Sequence, residues 1–191
     1  RISPEAPVPV VQVTRRSARL GGAANVALNA QALGATATIA TVVGDDPDAD
    51  RIGALLREQR SPAEGIVRSK LRRTTVKTRV ISGHQHVVRV DEEQEDELSQ
   101  EDERALLDRI AALMAARRPD AIVLEDYNKG VLTAAVIDGV IRLAKQAAVP
   151  VAVDPKKHNF LSYRGVDLFK PNLKELREGL KIELDPADDA S

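Results

Sequence analysis

From residue 121 onward the chain alternates between two hydrophobic periods, and that alternation restricts the fold more than any other feature. Ala121–Leu124, Val149–Val153 and Val166–Phe169 are short apolar runs, whereas Thr133–Ala147 and Leu173–Leu180 repeat their apolar residues every three or four positions. The first pattern reads as strands buried on both faces, the second as helices that cover them. Strands joined through helices cannot pair as hairpins, so the expected product is a parallel sheet with helices on its faces. Ligands of such sheets sit outside the carboxyl ends of the strands.

The first half has a similar grammar. Ala23–Leu33 is predicted as a helix that Gly34 ends, and Ala35–Val43 as a buried strand. Gly44-Asp45-Asp46-Pro47 supplies a turn and a helix cap. Asp48–Gln59 follows as an amphipathic helix with Ile52, Leu55 and Leu56 on one face. Val8–Val13 reads as an edge strand, because Pro7 and Pro9 carry no N–H for a second neighbour. Thr74–Ile81 alternates, with Val76, Thr78 and Val80 on one side and Thr75, Lys77, Arg79 and Ile81 on the other. After the turn Ser82-Gly83-His84-Gln85, His86–Val90 returns as a second strand. Buried, unpaired cations are costly, so the basic face of this hairpin must meet water or an anion. Asp91–Asp102 is strongly acidic and reads as a solvated loop; it leads into a helix from about Glu101 to Arg117, with Ser99 as N-cap.

Composition removes several functions. Only 2 % of the residues are aromatic and the net charge is −1, which argues against base stacking and against a basic nucleic-acid or membrane surface. The absence of cysteine excludes disulfides and thiolate chemistry. No apolar run approaches the roughly 20 residues of a membrane span, so a cytoplasmic location is the default expectation.

The chemistry-bearing residues gather at strand ends. Ala121–Leu124 runs into Glu125-Asp126-Tyr127-Asn128-Lys129-Gly130, Val149–Val153 into Asp154-Pro155-Lys156-Lys157, and Phe169 into Lys170-Pro171-Asn172-Leu173-Lys174-Glu175. Carboxylates suit sugar hydroxyls or Mg²⁺, and lysines suit phosphate. Gly21-Gly22-Ala23-Ala24-Asn25 places a tight, side-chain-free bend before a helix start, with the Asn25 amide one turn in, an arrangement able to grip a polyol. Asn172-x-x-Glu175 fits either an ordinary helix cap or a pair that holds water and a metal–phosphate group. Tyr127 and Tyr163 read as packing residues, and His84, His86 and His158 as solvated or hydrogen-bonded ones.

Taken together, the double-glycine bend, the basic hairpin Thr75–Asp91, the Asp154-Pro155-Lys156 strand end and Asn172-x-x-Glu175 resemble the ribokinase-like sugar kinases, also called phosphofructokinase B type. Within that family the likeness is strongest to kinases of D-glycero-β-D-manno-heptose 7-phosphate. It rests on Arg1-Ile2-Ser3-Pro4-Glu5-Ala6-Pro7-Val8-Pro9-Val10, on Thr74–Val80, on Glu125–Gly130 and on Phe169–Glu175. The resemblance implies an α/β fold: a parallel sheet flanked by helices (about residues 20–70 and 99–184) with a small β lid (about 7–14 and 74–91) that also forms a homodimer. It implies ATP and Mg²⁺ as cofactors and a sugar phosphate as the small-molecule partner, with phosphoryl transfer to the anomeric hydroxyl on the way to ADP-heptose and lipopolysaccharide core. Gly21, Gly22, Asn25 and Asp126 would then hold the sugar; Lys77, Arg79, Lys129 and, register permitting, Arg89 its phosphate; Lys156 and Asn172 the transferred phosphate; and Glu175 the Mg²⁺ through water.

One departure accompanies the resemblance. The family's base lies in a Gly-Ala-Gly-Asp motif that this sequence does not contain, so the base is expected beyond Ser191 and the chain alone is expected to be inactive. Both ends are expected to be cut, at Arg1 and after Asp185-Pro186-Ala187-Asp188-Asp189-Ala190-Ser191. The alternatives are a kinase for another sugar or sugar phosphate, or a sugar-phosphate binding module without catalysis. An unrelated doubly wound nucleotide binder is disfavoured, because neither common glycine-rich phosphate loop is present.

Overall fold

The computed structural model describes residues 10–182; the Arg1–Pro9 stretch and the end after Ile182, on which two of the expectations rest, lie outside the described residues. Along the chain run α1 (Ala23–Ala32), β1 (Thr41–Gly44), α2 (Pro47–Glu58), β2 (Ile66–Ser69), β3 (Val76–Ser82), β4 (Gln85–Glu92), α3 (Gln100–Ala116), β5 (Ile122–Glu125), α4 (Ala134–Gln146), β6 (Val151–Asp154), β7 (Leu168–Phe169) and α5 (Leu173–Leu180).

β5, β6 and β7 form the expected parallel sheet in that order, with Ile122 opposite Val151 and Ala152 opposite Leu168. β1 and β2 form a separate parallel pair. One core serves both: Val42 of β1 packs in the same buried cluster as Leu124, Val151 and Val153. Helix α4 fills it with Val136, Ile137, Val140, Ile141 and Ala144, which fall on one face because their spacing is three and four. Leu106 of α3 closes the other side at 1 % exposure.

Each helix start from α2 onward is fixed by a side chain that satisfies an otherwise orphaned N–H. Asp46 accepts from Ala49 N at 2.9 Å, with Pro47 in the first turn of α2. Ser99 accepts from Asp102 N and Thr133 from Val136 N. Asn172 and Glu175 exchange bonds reciprocally at the start of α5. Asp46 also reaches beyond its own helix. Its other oxygen takes Thr74 N at 2.9 Å, while the Thr74 hydroxyl takes Gly44 N at 3.0 Å. The strand end of β1 is thereby fastened to the base of the hairpin.

Several expectations are corrected. The described part of Val8–Val13, residues 10–13, forms no strand. β3 and β4 make a two-stranded sheet by themselves and give it no partner, and β-branched composition does not make a strand without a ladder. The strand expected over Ala35–Val43 shrinks to Thr41–Gly44, because pairing with the segment around β2 begins only where Thr41 N meets Gly65 O at 3.2 Å. β2 itself was not expected: four residues ending in Arg68-Ser69 carry too weak a pattern. The hairpin turn is tighter than expected, with Ser82 and Gln85 as the last pair, and a bulge falls between Val80 and Ile81. The acidic run is not simply a solvated loop: Asp91 and Glu92 end β4, and Asp102 is buried in α3, where it accepts from the Ser69 and Ser99 hydroxyls at 2.8 and 3.0 Å.

Replacing Ile137, 1 % exposed in this core, by alanine should cost about 3 kcal/mol. Val123→Ala, at a 54 % exposed position of β5, should stay within about 1 kcal/mol. Urea unfolding of both variants checks the contrast.

Candidate functional site

The loop after β5 organises the site. Asp126 follows the strand directly and is 2 % exposed. A buried carboxylate must be hydrogen-bonded, and this one is: Oδ1 accepts from Asn128 N at 2.8 Å, and Oδ2 from Tyr163 Oη at 2.6 Å and Asn159 Nδ2 at 3.2 Å. Asn159 also donates to the Leu132 carbonyl at 2.7 Å. Burial, and then the Asp126 partner, push the Tyr163 hydroxyl far above its ordinary range, so it remains a donor. Asn128 adopts φ 51°, a left-handed conformation that asparagine tolerates well. Gly130, at φ 71°, admits the Asp96 carbonyl where a Cβ would stand. The loop is therefore a built object, held from inside.

What it presents outward is Tyr127 and Lys129. The Tyr127 ring, 45 % exposed, lies 3.8 Å from the position a Gly22 Cβ would take. Gly22 sits at φ 55° and Gly21 has open space beside it. The double-glycine bend thus faces the strand-end loop. Asn25 is exposed on the first turn of α1, and its amide makes no side-chain hydrogen bond among the described residues.

The three strand ends converge. Glu125 and Asp154 are register partners on neighbouring parallel strands, so both side chains project to one face. Burial, and then the Asp154 charge, hold the Glu125 carboxyl above its ordinary range. Lys170 Nζ lies 3.0 Å from Asp154 Oδ1 and Lys156 Nζ 3.9 Å from Oδ2. Lys156 also pairs with Glu175. Burial pushes the Lys156 ammonium down, but the Glu175 partner outweighs it and the net shift is upward. Glu175 is correspondingly lowered: its own burial is outweighed by Lys156 and by Asn172 N, which it accepts at 2.8 Å. Both oxygens of this 7 % exposed carboxylate are thus engaged.

Among the described residues no three His, Cys, Asp or Glu side chains are grouped so as to hold a metal ion. Glu175 fits Mg²⁺ only through water and its remaining lone pairs, which is the usual habit of an ion that keeps its hydration and binds mostly to phosphates.

Two cations of the hairpin, Lys77 and Arg89, and the nearby Lys129 meet the chain's own acids. Lys77 lies 3.2 Å from Asp91 and 2.6 Å from Glu93; Arg89 lies 3.0 Å from Asp91; Lys129 lies 2.8 Å from Glu93 and 2.6 Å from Glu95. Arg79 stands directly across from Arg89 in the ladder and has no ion pair among the described residues. Of the residues singled out in the sequence, the structure joins Lys77, Arg89 and Lys129 in one network, Lys156, Asn172 and Glu175 in a second, and sets Gly22 beside Tyr127. Asp126 is enclosed beneath the loop. Sequence reasoning missed the brace on this arrangement, Arg72, which donates to the Asp96 and Lys129 carbonyls at 2.8 and 2.6 Å; one arginine among its neighbours Lys70 and Arg73 gave no signal.

A parallel sheet with charged strand ends and flanking helices is the architecture of a class of sugar kinases, and known proteins share it. Phosphofructokinase-2 from Escherichia coli, in its tetrameric inhibited form, matches at TM-score 0.67 and 20 % identity over 88 % of this chain and 55 % of that one. The 2-dehydro-3-deoxygluconokinase of Thermotoga maritima matches at TM-score 0.64 and 19 % identity, over 88 % of this chain and 55 % of that one. At such identities they show the fold alone, which is ribokinase-like α/β. The sequence model of the pfkB family carbohydrate kinases matches residues 1–191. The chain belongs to that family. It is also similar to proteins called bifunctional protein HldE: 42 % identical to that of Wolinella succinogenes over 100 % of this chain, 47 % to that of Caulobacter vibrioides over 100 %, and 42 % to that of Citrifermentans bemidjiense over 92 %. The chain spans 40 %, 38 % and 36 % of those relatives, respectively. No helix of the described residues is long and apolar enough to cross a membrane.

Two outcomes test this geometry. Tyr163→Phe removes a donor from buried Asp126 and should cost about 2 kcal/mol in chemical denaturation, whereas Tyr127→Phe should change stability by less than about 0.5 kcal/mol. The Glu93 carboxyl is held below its ordinary value of 4.5 by Lys129 and then Lys77. Its stabilising contribution is therefore present above 4.5 and lost as the pH falls through the lowered value. The melting-temperature difference between the protein and Glu93→Gln should accordingly shrink between pH 6 and pH 3, a range chosen to bracket roughly the carboxylate titration.

Proposed function

We propose that the protein to which this chain belongs is an ATP-dependent kinase that phosphorylates the anomeric hydroxyl of D-glycero-D-manno-heptose 7-phosphate, a precursor of ADP-heptose and lipopolysaccharide core. The single observation that supports this most is the pairing of two separate cation groups: Lys156 and Lys170 at the strand ends, and Lys77, Arg79, Arg89 and Lys129 around the hairpin. A kinase whose substrate already bears a phosphate needs one group for each phosphate. The similarity to the HldE proteins over the whole chain supports the choice of sugar.

In this reading Gly21 and Gly22 leave room for the sugar ring against Tyr127, and Asn25 donates and accepts at its hydroxyls. Asp126 acts from beneath, fixing the loop that carries Tyr127 and Lys129. The hairpin cations receive the existing phosphate. A new bond forms between the anomeric oxygen and the terminal phosphorus of ATP, and the bond to ADP breaks. Lys156, aimed by Glu175, offsets charge on the group in flight, and Asn172 fixes the helix start beside it. Mg²⁺, when bound, would neutralise the nucleotide phosphates, and Glu175 is the residue that would hold it, through water. The residues named here bind and orient, and the hydroxyl proton passes to a base that they do not supply. The reading also carries a cytoplasmic location and a homodimer formed through the hairpin, where Val87, Val88 and Val90 leave apolar surface exposed.

The full-length protein with ATP and Mg²⁺ should release ADP with the heptose 7-phosphate and not with fructose 6-phosphate. The opposite preference moves the assignment to another sugar phosphate, and binding without turnover moves it to a sugar-phosphate binding module. Lys156→Ala should lower kcat about 100-fold, and Arg79→Ala should raise the sugar-phosphate KM about tenfold with a smaller change in kcat.

A further inference from the structure

The acidic segment after β4 is patterned. Asp91, Glu93 and Glu95 alternate with Glu92, Gln94 and Asp96, so an extended chain turns the first three to one side. That side is the one facing the hairpin cations, and each of the three makes an ion pair there. Glu93 occupies the centre. Its Oε2 lies 2.6 Å from Lys77 on β3 and its Oε1 2.8 Å from Lys129 on the loop after β5. One carboxylate therefore bridges the hairpin and the sheet at the position where two lysines converge, and its side chain is 21 % exposed. Against the four cations Lys77, Arg79, Arg89 and Lys129 stand three acids, which leaves Arg79 uncompensated beside Arg89.

Two converging ammonium groups are a natural seat for a dianion. The same seat cannot hold both a phosphate and the Glu93 carboxylate, since like charges within a few ångström repel strongly where water is scarce. Glu93 follows the last residue of β4 and lies in no helix or strand, so the carboxylate can leave without undoing an element. A ligand with a phosphate can replace it on both lysines at once, with Arg79 as the point of first attraction. An uncharged ligand has nothing with which to displace it.

We propose that Glu93 is a specificity-determining residue: it stands in for the ligand's phosphate between Lys77 and Lys129, and displacement by a dianion is the condition for opening the place where the two lysines converge. This rests on the reading that the hairpin cations receive a phosphate. Glu93 acts as a competitor, so its removal improves anion binding, whereas a residue that merely aligned the lysines would weaken binding on removal.

Inorganic phosphate is titrated into the full-length protein by calorimetry at constant ionic strength. Glu93→Gln should bind it about tenfold more tightly, and Glu95→Gln, which frees only one contact on Lys129, about threefold more tightly. Glu92→Gln, on the opposite side of the strand, should leave the affinity unchanged. Equal tightening by Glu92→Gln, or unchanged or weaker binding by both Glu93→Gln and Glu95→Gln, overturns the proposal. Arg79→Ala separates the layers: phosphate binding that ignores it sinks the phosphate-site reading and this proposal together. Binding that needs Arg79 and yet is not tightened by Glu93→Gln sinks the proposal alone.

Discussion

The site depends on one buried carboxylate. Asp126 ends the apolar course of β5, and at 2 % exposure it stays in place only because three donors converge on it. Those donors come from different places: Asn128 from its own loop, Asn159 and Tyr163 from the segment after β6. The same Asn159 reaches the Leu132 carbonyl on the approach to α4. Charge, strand end and two loops are thus tied at one point. Tyr127 and Lys129 inherit their positions from it, being its neighbours in a loop whose backbone is pinned at Asn128 and at Gly130. Through Lys129 the constraint reaches Glu93, and through Glu93 the hairpin. A residue expected to touch the sugar is enclosed, and it fixes the loop that carries Tyr127 and Lys129.

Much of this was legible in the sequence. The helices α4 and α5 and the strands between them follow from the change of hydrophobic period, and their boundaries from Thr133 and Asn172, whose side chains cap the helices. The clustering of Glu125, Asp154, Lys156, Lys170 and Glu175 followed from parallel topology alone, because every strand of such a sheet ends on the same edge. What was not legible depended on pairing across long sequence distances. Residues 10–13 have strand-like composition but no neighbour, and β2 has a neighbour but little composition. The acidic run misled for the same reason. Charge density predicts solvation when the partners are unknown, and here the partners, Lys77 and Lys129, lie 16 and 36 residues from Glu93.

The two ion-pair networks differ in ways that suit different roles. Glu175 is nearly enclosed, bound at both oxygens, and locked into the capping box of α5, so Lys156 is held by a group that cannot swing away without undoing a helix start. Such preorganisation favours a lysine that must meet charge developing in a transition state, where reorganisation would subtract from the gain. The acids around Lys77 and Lys129 belong to a strand end and a loop, and Glu95 is 69 % exposed. None of the three lies in a helix cap, so their movement undoes no helix start. One network is locked into a helix start beside the strand ends, and the other joins a strand end, a loop and the hairpin.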